Sequence, residues 1–150
     1  MSKTIKDAPT ATGNASGANF ANFDLPETLL VTLAREGLVE PTPIQALSIP
    51  LLLDGKDLIG LAQTGTGKTA AFLLPLMTHL GFTAAVRAGQ PPKALILAPT
   101  RELANQISQN VQKLAADLNI RQIAIFGGAR YDAQIRGLRR GVDIIVATPG

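Results

Sequence analysis

The chain contains no cysteine and no tryptophan. Without cysteine, disulfide bonds and thiolate metal sites are excluded, and the single histidine, His79, cannot form a metal site by itself. Aromatic residues make up only 4% of the chain. Any surface that stacks on adenine or on a nucleic-acid base must therefore be small.

Long apolar segments are also missing. The longest, residues 70–77, contains Pro75 and is far shorter than the ~18 residues that a membrane span needs. No apolar segment follows Lys3 and Lys6 in the sequence, which argues against a secretory signal. We therefore expect a cytoplasmic protein that acts as a monomer and has no membrane partner.

The 150 residues are sufficient for one domain with a hydrophobic core. The formal net charge of +3 suits a phosphate-bearing partner without requiring one. Residues 1–19 are rich in small and polar residues and lack a periodic apolar pattern, so they predict a flexible tail. The folded domain is expected to span residues 20–150.

Helix-like and strand-like runs alternate along this domain. Helices are predicted over residues 26–35, 43–53, 67–80, 101–118 and about 132–140, and strands over 57–62, 93–98, 121–126 and 142–147. Apolar strands that alternate with helices predict an α/β fold with a parallel sheet covered by helices on both faces. Ligands of such sheets bind at the C-terminal ends of the strands.

Residues 62–69, Ala-Gln-Thr-Gly-Thr-Gly-Lys-Thr, follow a predicted strand and open a predicted helix, as a phosphate-binding loop does. Gly65 and Gly67 let the backbone curl so that its N–H groups face phosphate oxygens. Lys68 is expected to reach the β- and γ-phosphates, and the Thr69 hydroxyl to bind Mg²⁺. Alone, the loop predicts a nucleotide binder of the P-loop class.

The segment Thr42-Pro43-Ile44-Gln45 has the form of a capping box, with Thr42 as the N-cap and Gln45 three residues later. Read locally, Gln45 is best explained as a cap of its own helix. The side-chain amide also offers a donor and an acceptor side by side, which can match the edge of adenine. Both interpretations stay open on these residues alone.

Three further segments follow predicted strands and could share one surface. Thr100 and Arg101 open a helix, the pair 127–128 is Gly-Gly, and residues 148–150 are Thr-Pro-Gly. They could hold the phosphates of a nucleic acid, or serve only as caps and turns. The arginines at 136, 139 and 140 are better explained as a solvated helix face than as part of that surface.

In combination, these segments resemble the DEAD-box RNA helicases. Phe20 with residues 37–45 resembles their Q motif, and residues 62–69 resemble motif I. Residues 99–104 (Pro-Thr-Arg-Glu-Leu-Ala), 127–128 and 148–150 are similar to motif Ia, the glycine motif and motif Ib. Five motifs in the family's order over residues 20–150 are far more specific than any one of them.

The resemblance implies the N-terminal part of a RecA-like domain that uses ATP and Mg²⁺ and contacts the RNA backbone independently of base sequence. Gln45 would recognise adenine, and Leu38 would cover the base where relatives often have a stacking Phe or Tyr. Lys68 and Thr69 would be catalytic. The implied ATP-binding residues are Phe20, Leu38, Thr42, Gln45, Gln63, Thr64, Gly65, Thr66, Gly67, Lys68 and Thr69. The implied RNA-binding residues are Pro99, Thr100, Arg101, Gly127, Gly128, Thr148, Pro149 and Gly150.

Two other functions compete with an RNA helicase. A small-molecule kinase would share the phosphate loop but needs neither the Gln45 segment nor residues 99–104. A module that only binds nucleotide or RNA is the second, because the chain has no Asp-Glu-Ala-Asp run. We expect the 150-residue chain alone to be inactive as an ATPase. We also expect it to be marginally stable, with strand 144–146 and helix 70–80 incompletely covered.

Overall fold

The computed structural model describes the backbone of residues 3–5 together with residues 19–81 and 86–150. The chain divides into two compact units, Met1–His79 and Leu80–Gly150. Most of the predicted tail, residues 1–19, lies outside the described residues, so the tail stays a prediction.

The first unit contains one short parallel strand pair and mostly helix. Its elements are β1 (Lys3–Ile5), a 3-10 helix (Phe20–Asn22), α1 (Glu27–Arg35), α2 (Pro43–Leu53), β2 (Leu58–Gly60) and most of α3 (Lys68–Gly81). Strand β1 pairs in parallel with β2, with Lys3 opposite Leu58. Strand β1 lies in the segment that the sequence predicts to be a flexible tail, and it supplies hydrogen-bond partners to β2.

Helix α2 begins and ends where the sequence predicts. Thr42 is its N-cap and Pro43 occupies the first helical position, where the missing N–H has no consequence. Pro50 lies inside the helix without ending it, and its side chain is exposed. In the described part of the chain, no helix is long and apolar enough to cross a membrane.

The second unit is a parallel α/β sheet, which confirms the predicted fold class. Its elements are β3 (Ala94–Leu97), α4 (Arg101–Leu114), β4 (Gln122–Ile125), α5 (Tyr131–Arg139) and β5 (Ile144–Ala147). The strand order is β3-β5-β4, and Ala94 and Gln122 are both aligned with Ile144. All three strands therefore start at one end of the unit and finish at the other.

Two expectations about the helices and strands are wrong in detail. Helix α4 ends at Leu114 rather than at 118, because Ala115 caps it and a turn follows, although Leu118 continues the apolar spacing. The strand and helix expected to lose cover are covered: Ile144 and Val146 of β5 are 0% exposed, as are the residues of α3 Leu73, Leu74 and Met77. Within the three-stranded sheet, Leu95 and Leu97 of β3 are the exposed side chains instead, at 61% and 60%. Strand β5 is protected because it lies between the other two.

The buried carboxylate of Asp143 joins the starting ends of all three strands. It accepts hydrogen bonds from the backbone N–H of Arg121 (2.9 Å) and from that of Val86 (3.3 Å), and it pairs with the Lys93 ammonium at 3.1 Å. Lys93 precedes β3, Arg121 precedes β4 and Asp143 itself precedes β5. One side chain thus fixes the relative position of the strands where they begin.

Its protonation state follows from these partners. Burial by itself would raise the pKa of the Asp143 carboxyl. The backbone N–H of Arg121, the Lys93 ammonium and the backbone N–H of Val86 outweigh burial, and the pKa falls below its ordinary value of 3.8. The charged form is therefore favoured in the folded protein, and its stabilisation is present at neutral pH.

We predict that Asp143→Ala lowers the free energy of unfolding by about 3–5 kcal/mol, because the charge of Lys93 and two N–H groups lose their acceptor. The matched control is Asp54→Ala, which removes an exposed carboxylate paired with Lys56 at 2.9 Å and should cost less than about 1 kcal/mol. Urea denaturation at pH 7 measures both.

The same network gives a pH dependence of known sign. The folded-state pKa of Asp143 is lowered, so its contribution is complete above the unfolded value and is lost as the pH falls through the folded value. The stability difference between the parent and Asp143→Ala should therefore narrow below pH 3.8. If the Asp143 and Asp54 substitutions lowered the free energy of unfolding equally at pH 7, this account would be contradicted.

Candidate functional site

The loop between β2 and α3 has the conformation of a phosphate-binding loop. Gly65 and Gly67 have φ angles of +83° and +88°, in the left-handed region that favours glycine. The Thr66 hydroxyl donates to the carbonyl of Gln63 at 2.8 Å and closes the loop. Gln63, Thr64 and Gly65 are exposed, so the loop can be reached from solvent.

Lys68 and Thr69 are the first two residues of α3. The Lys68 ammonium donates to the carbonyl oxygens of Ala62 and Gln63, the second at 2.6 Å. A phosphate at this place would have to replace these two acceptors. The Thr69 hydroxyl has no hydrogen-bond partner among residues 19–81 and 86–150 and remains able to bind a ligand.

Gln45 connects α2 with the phosphate loop. Its Oε1 accepts the backbone N–H of Thr42 at 2.9 Å, which is the capping bond considered from the sequence. Its Nε2 donates to the carbonyl of Gly67 at 3.1 Å, and the Thr42 hydroxyl donates to the carbonyl of Thr66 at 2.8 Å. Gln45 is only 3% exposed. It therefore caps its helix and holds the loop with the same amide.

The close approach of Gln45 requires a glycine at position 67. A Cβ atom added there would lie 2.4 Å from Gln45 Nε2 and 3.2 Å from the Thr42 Oγ1. At Gly65, by contrast, an added Cβ would meet nothing within 4 Å. The two glycines of the loop thus serve different purposes: both allow the backbone to turn, and only Gly67 makes room for Gln45.

The other two residues expected near the base, Phe20 and Leu38, differ in their exposure to solvent. Phe20 is 2% exposed and packs edge to face against Phe23, with 6.2 Å between ring centroids. It has no free ring face for a base and belongs to the core of the first unit. Leu38 is 37% exposed and remains available at the surface.

In the second unit, an open cleft of about 460 Å³ lies beyond the ends of β3 and β5. It brings together motifs that are distant in sequence, and its lining consists of Pro99, Thr100, Arg101, Glu102, Thr148, Pro149 and Gly150. The Thr100 hydroxyl accepts the backbone N–H of Leu103 at 3.2 Å as the N-cap of α4. Glu102, the second residue of α4, also lines this cleft.

The Gly127-Gly128 pair adjoins the cleft through Arg101. A Cβ atom at Gly128 would lie 2.5 Å from Arg101 Nη1, and one at Gly127 would lie 3.6 Å from Arg101 Nη2 and 3.7 Å from the carbonyl of Gly150. Gly128 also has a φ of +80°. The guanidinium therefore lies against the two glycines. Sequence reasoning placed these segments on one surface but did not predict this contact.

A model of the DEAD/DEAH box helicase family matches residues 42–150 of the chain. Among curated relatives, the ATP-dependent RNA helicase RhlB of Xanthomonas axonopodis pv. citri is 50% identical over 133 residues. That alignment covers 87% of this chain and 23% of the relative. The chain thus spans about a quarter of that protein's length.

Solved structures give the same result. The RNA helicase Prp28 from Chaetomium thermophilum bound to ADP is 50% identical, with a TM-score of 0.77 over 84% of this chain and 31% of that one. A DEAD box protein from Methanococcus jannaschii is 35% identical, also with a TM-score of 0.77, over 88% of this chain and 35% of that one. The similarity therefore covers most of this chain in both cases.

We predict that Gly128→Ala displaces the Arg101 guanidinium and, if the cleft holds RNA as the sequence resemblance implies, weakens binding of single-stranded RNA. If Arg101 contacts one phosphate, the slope of log affinity against log salt should fall by about 0.7. The control is Gly55→Ala, where φ is +71° and an added Cβ meets nothing within 4 Å.

Fluorescence anisotropy over a salt series measures both variants. The control imposes the same backbone strain without touching Arg101, so it should bind RNA as the parent does. Identical affinities and slopes for Gly128→Ala and Gly55→Ala would show that the position of Arg101 does not matter for RNA.

Proposed function

The chain belongs to the DEAD/DEAH box helicase family, and from this premise we propose that the protein containing it is an ATP-dependent RNA helicase. The observation that carries the proposal is the hydrogen bond from Gln45 Nε2 to the carbonyl of Gly67. It links a side chain able to recognise adenine with a loop able to hold phosphates. A small-molecule kinase would need the loop but neither this link nor a second cleft.

In the proposed complex, backbone N–H groups of residues 63–67 and the first turn of α3 bind the phosphates of ATP. The Lys68 ammonium leaves its two carbonyl acceptors and pairs with the β- and γ-phosphates. The free Thr69 hydroxyl would hold Mg²⁺. Among the described residues, no group of three or more His, Asp or Glu side chains could hold a metal ion. When bound, Mg²⁺ would neutralise phosphate charge.

The base of ATP is proposed to lie against Gln45 and Leu38. Each group of the Gln45 amide makes one hydrogen bond in the protein. The amide nitrogen has a second N–H and the oxygen has a second lone pair, which can pair with the donor and acceptor on the adenine edge. Leu38 supplies apolar cover without stacking.

RNA is proposed to bind along the cleft of the second unit through its backbone. The N–H groups at the start of α4, the Arg101 guanidinium and the Thr148 hydroxyl are all suited to phosphate oxygens. Gly127 and Gly128 leave room for the sugar-phosphate chain to approach. Because phosphates carry no sequence information, binding should be independent of base sequence. The residues proposed for this contact are Pro99, Thr100, Arg101, Gly127, Gly128, Thr148, Pro149 and Gly150.

A nucleotide- or RNA-binding module without catalysis is the second candidate for this 150-residue chain considered alone. It is favoured by the absence of an Asp-Glu-Ala-Asp run in the sequence. In this chain Lys68 and Thr69 would hold phosphate and metal, and no described carboxylate forms a hydrogen bond or ion pair with either residue. The helicase itself is proposed to act as a monomer in the cytoplasm.

We predict that Lys68→Ala abolishes RNA-stimulated ATP hydrolysis by the full-length protein, because the γ-phosphate loses its cation. The control is Lys56→Ala, which removes an exposed lysine of the same unit that pairs only with Asp54. Phosphate release in the presence and absence of RNA measures both variants. Near-parental turnover by a folded Lys68→Ala protein would refute the phosphate assignment.

We also predict that Gln45→Ala weakens ATP binding by about 1–3 kcal/mol and reduces discrimination against GTP. Gln45→Glu is the informative companion, because it keeps an oxygen for the Thr42 N–H but cannot donate to Gly67 or to a base. Competition binding with ATP and GTP should give a lower ATP preference for both variants. An equal loss of ATP and GTP affinity would mean that Gln45 only holds the loop.

A further inference from the structure

The basic excess of the chain is confined to the second unit. Residues 80–150 contain nine Lys and Arg residues against four Asp and Glu residues, whereas residues 1–79 contain five against seven. The formal charge of the second unit is therefore +5, although the whole chain carries only +3. A charge of this size on one small unit creates a field that attracts polyanions.

This charge does not lie at the cleft. In the lining of the cleft, Arg101 is matched by Glu102. At the start of α5, the N-cap residue Arg130 is matched by Asp132 in the first turn. The excess lies where the strands begin, about 13 Å away along four strand residues. We call this surface the basic end; it consists of the exposed residues Arg87, Arg121, Arg136, Arg139 and Arg140.

The Arg121 guanidinium and one contact between loops bring these arginines together from three parts of the chain. Arg121 Nη1 donates to the carbonyl of Arg140 at 3.1 Å, and Arg121 Nη2 donates to the carbonyl of Val86 at 2.8 Å. A Cβ atom at Gly141 would lie 2.5 Å from the carbonyl oxygen of Arg87, so these two loops touch. The fold therefore holds Arg87, Arg121 and Arg140 on one surface.

Little negative charge opposes the basic end. Asp143 is buried and paired with Lys93. Asp117, in the connection from α4 to β4, and Lys113, in the last turn of α4, each already have an interaction partner. No described residue accepts a hydrogen bond from the side chains of Arg136, Arg139 or Arg140. Their guanidinium groups are available to a ligand.

We propose that the basic end binds the phosphate backbone of an RNA segment that extends beyond the cleft. This surface is separate from the cleft but rests on the proposed function, since RNA is the polyanion already assigned to the protein. An acidic protein is less well matched, because interfaces between proteins need buried apolar anchors. Among the large apolar side chains exposed in the described residues, only Leu138, 37% exposed, lies within the last turn of α5.

Arginines in the last turn of a helix also stabilise the helix dipole, and the experiment must separate that role from binding. The test variant is Arg139→Gln/Arg140→Gln, with Arg139→Lys/Arg140→Lys as the charge-preserving variant. Arg35→Gln, in the last turn of α1, is the control for losing a helix-terminal charge. Each full-length protein is titrated with a short single-stranded RNA that fills only the cleft and with a long one.

We expect the double Gln variant to bind long RNA about three- to tenfold more weakly at low salt, with a salt slope reduced by up to about 1.4, since each phosphate contact contributes about 0.7. Its affinity for short RNA should match that of the parent. The double Lys variant should bind long RNA within about twofold of the parent, because a phosphate accepts any point charge. Arg35→Gln should change neither affinity.

An equal loss with short and long RNA, or no loss with either, would overturn the proposal. Poly-glutamate binding that the double Gln variant loses, with long-RNA binding unchanged, would also overturn it and assign the surface to an acidic protein. Failure of the parent to bind even short RNA would remove the proposed function instead. Thermal melting of all variants distinguishes unfolding from lost contacts.

Discussion

The carboxylate of Asp143 is the interaction on which the second unit depends. By holding the starts of three parallel strands in register, it also determines where those strands finish, because each is only four residues long. The segments after β3, β4 and β5 therefore emerge side by side, and the cleft between Thr100 and Thr148 is the result. The cost of burying one charge is offset by three donors that would otherwise lack partners.

Gln45 has the corresponding position in the first unit, with a neutral group in place of a charge. Its amide oxygen accepts the N–H of Thr42 at the start of α2, and its amide nitrogen donates to the carbonyl of Gly67 in the phosphate loop. A proposed adenine contact would add to bonds that already exist. The orientation of the amide is therefore fixed before a nucleotide binds, so little side-chain entropy would be lost on binding.

Local patterns predicted most of the elements. Both bounds of α2 follow from its capping box and from the first-turn proline, which act within a few residues. The sequence was less informative where distant parts of the chain decide the outcome. The end of α4 depends on a turn that overrides apolar spacing, and the burial of Ile144 depends on β5 lying between two neighbours. The only indication in the sequence of the contact between Arg101 and Gly128 is the pair of consecutive glycines. Nothing in the sequence indicates that Phe20 is buried.

The absence of a side chain at position 67 limits sequence change at two distant positions in different ways. Any residue larger than glycine at 67 would collide with Gln45. A smaller residue at 45 would remove the collision, but the φ of +88° at 67 would still strain any side chain there. The smaller residue would also leave the carbonyl at 67 without its donor. In a combinatorial library that varies both positions, position 67 should therefore stay glycine whatever residue occupies 45.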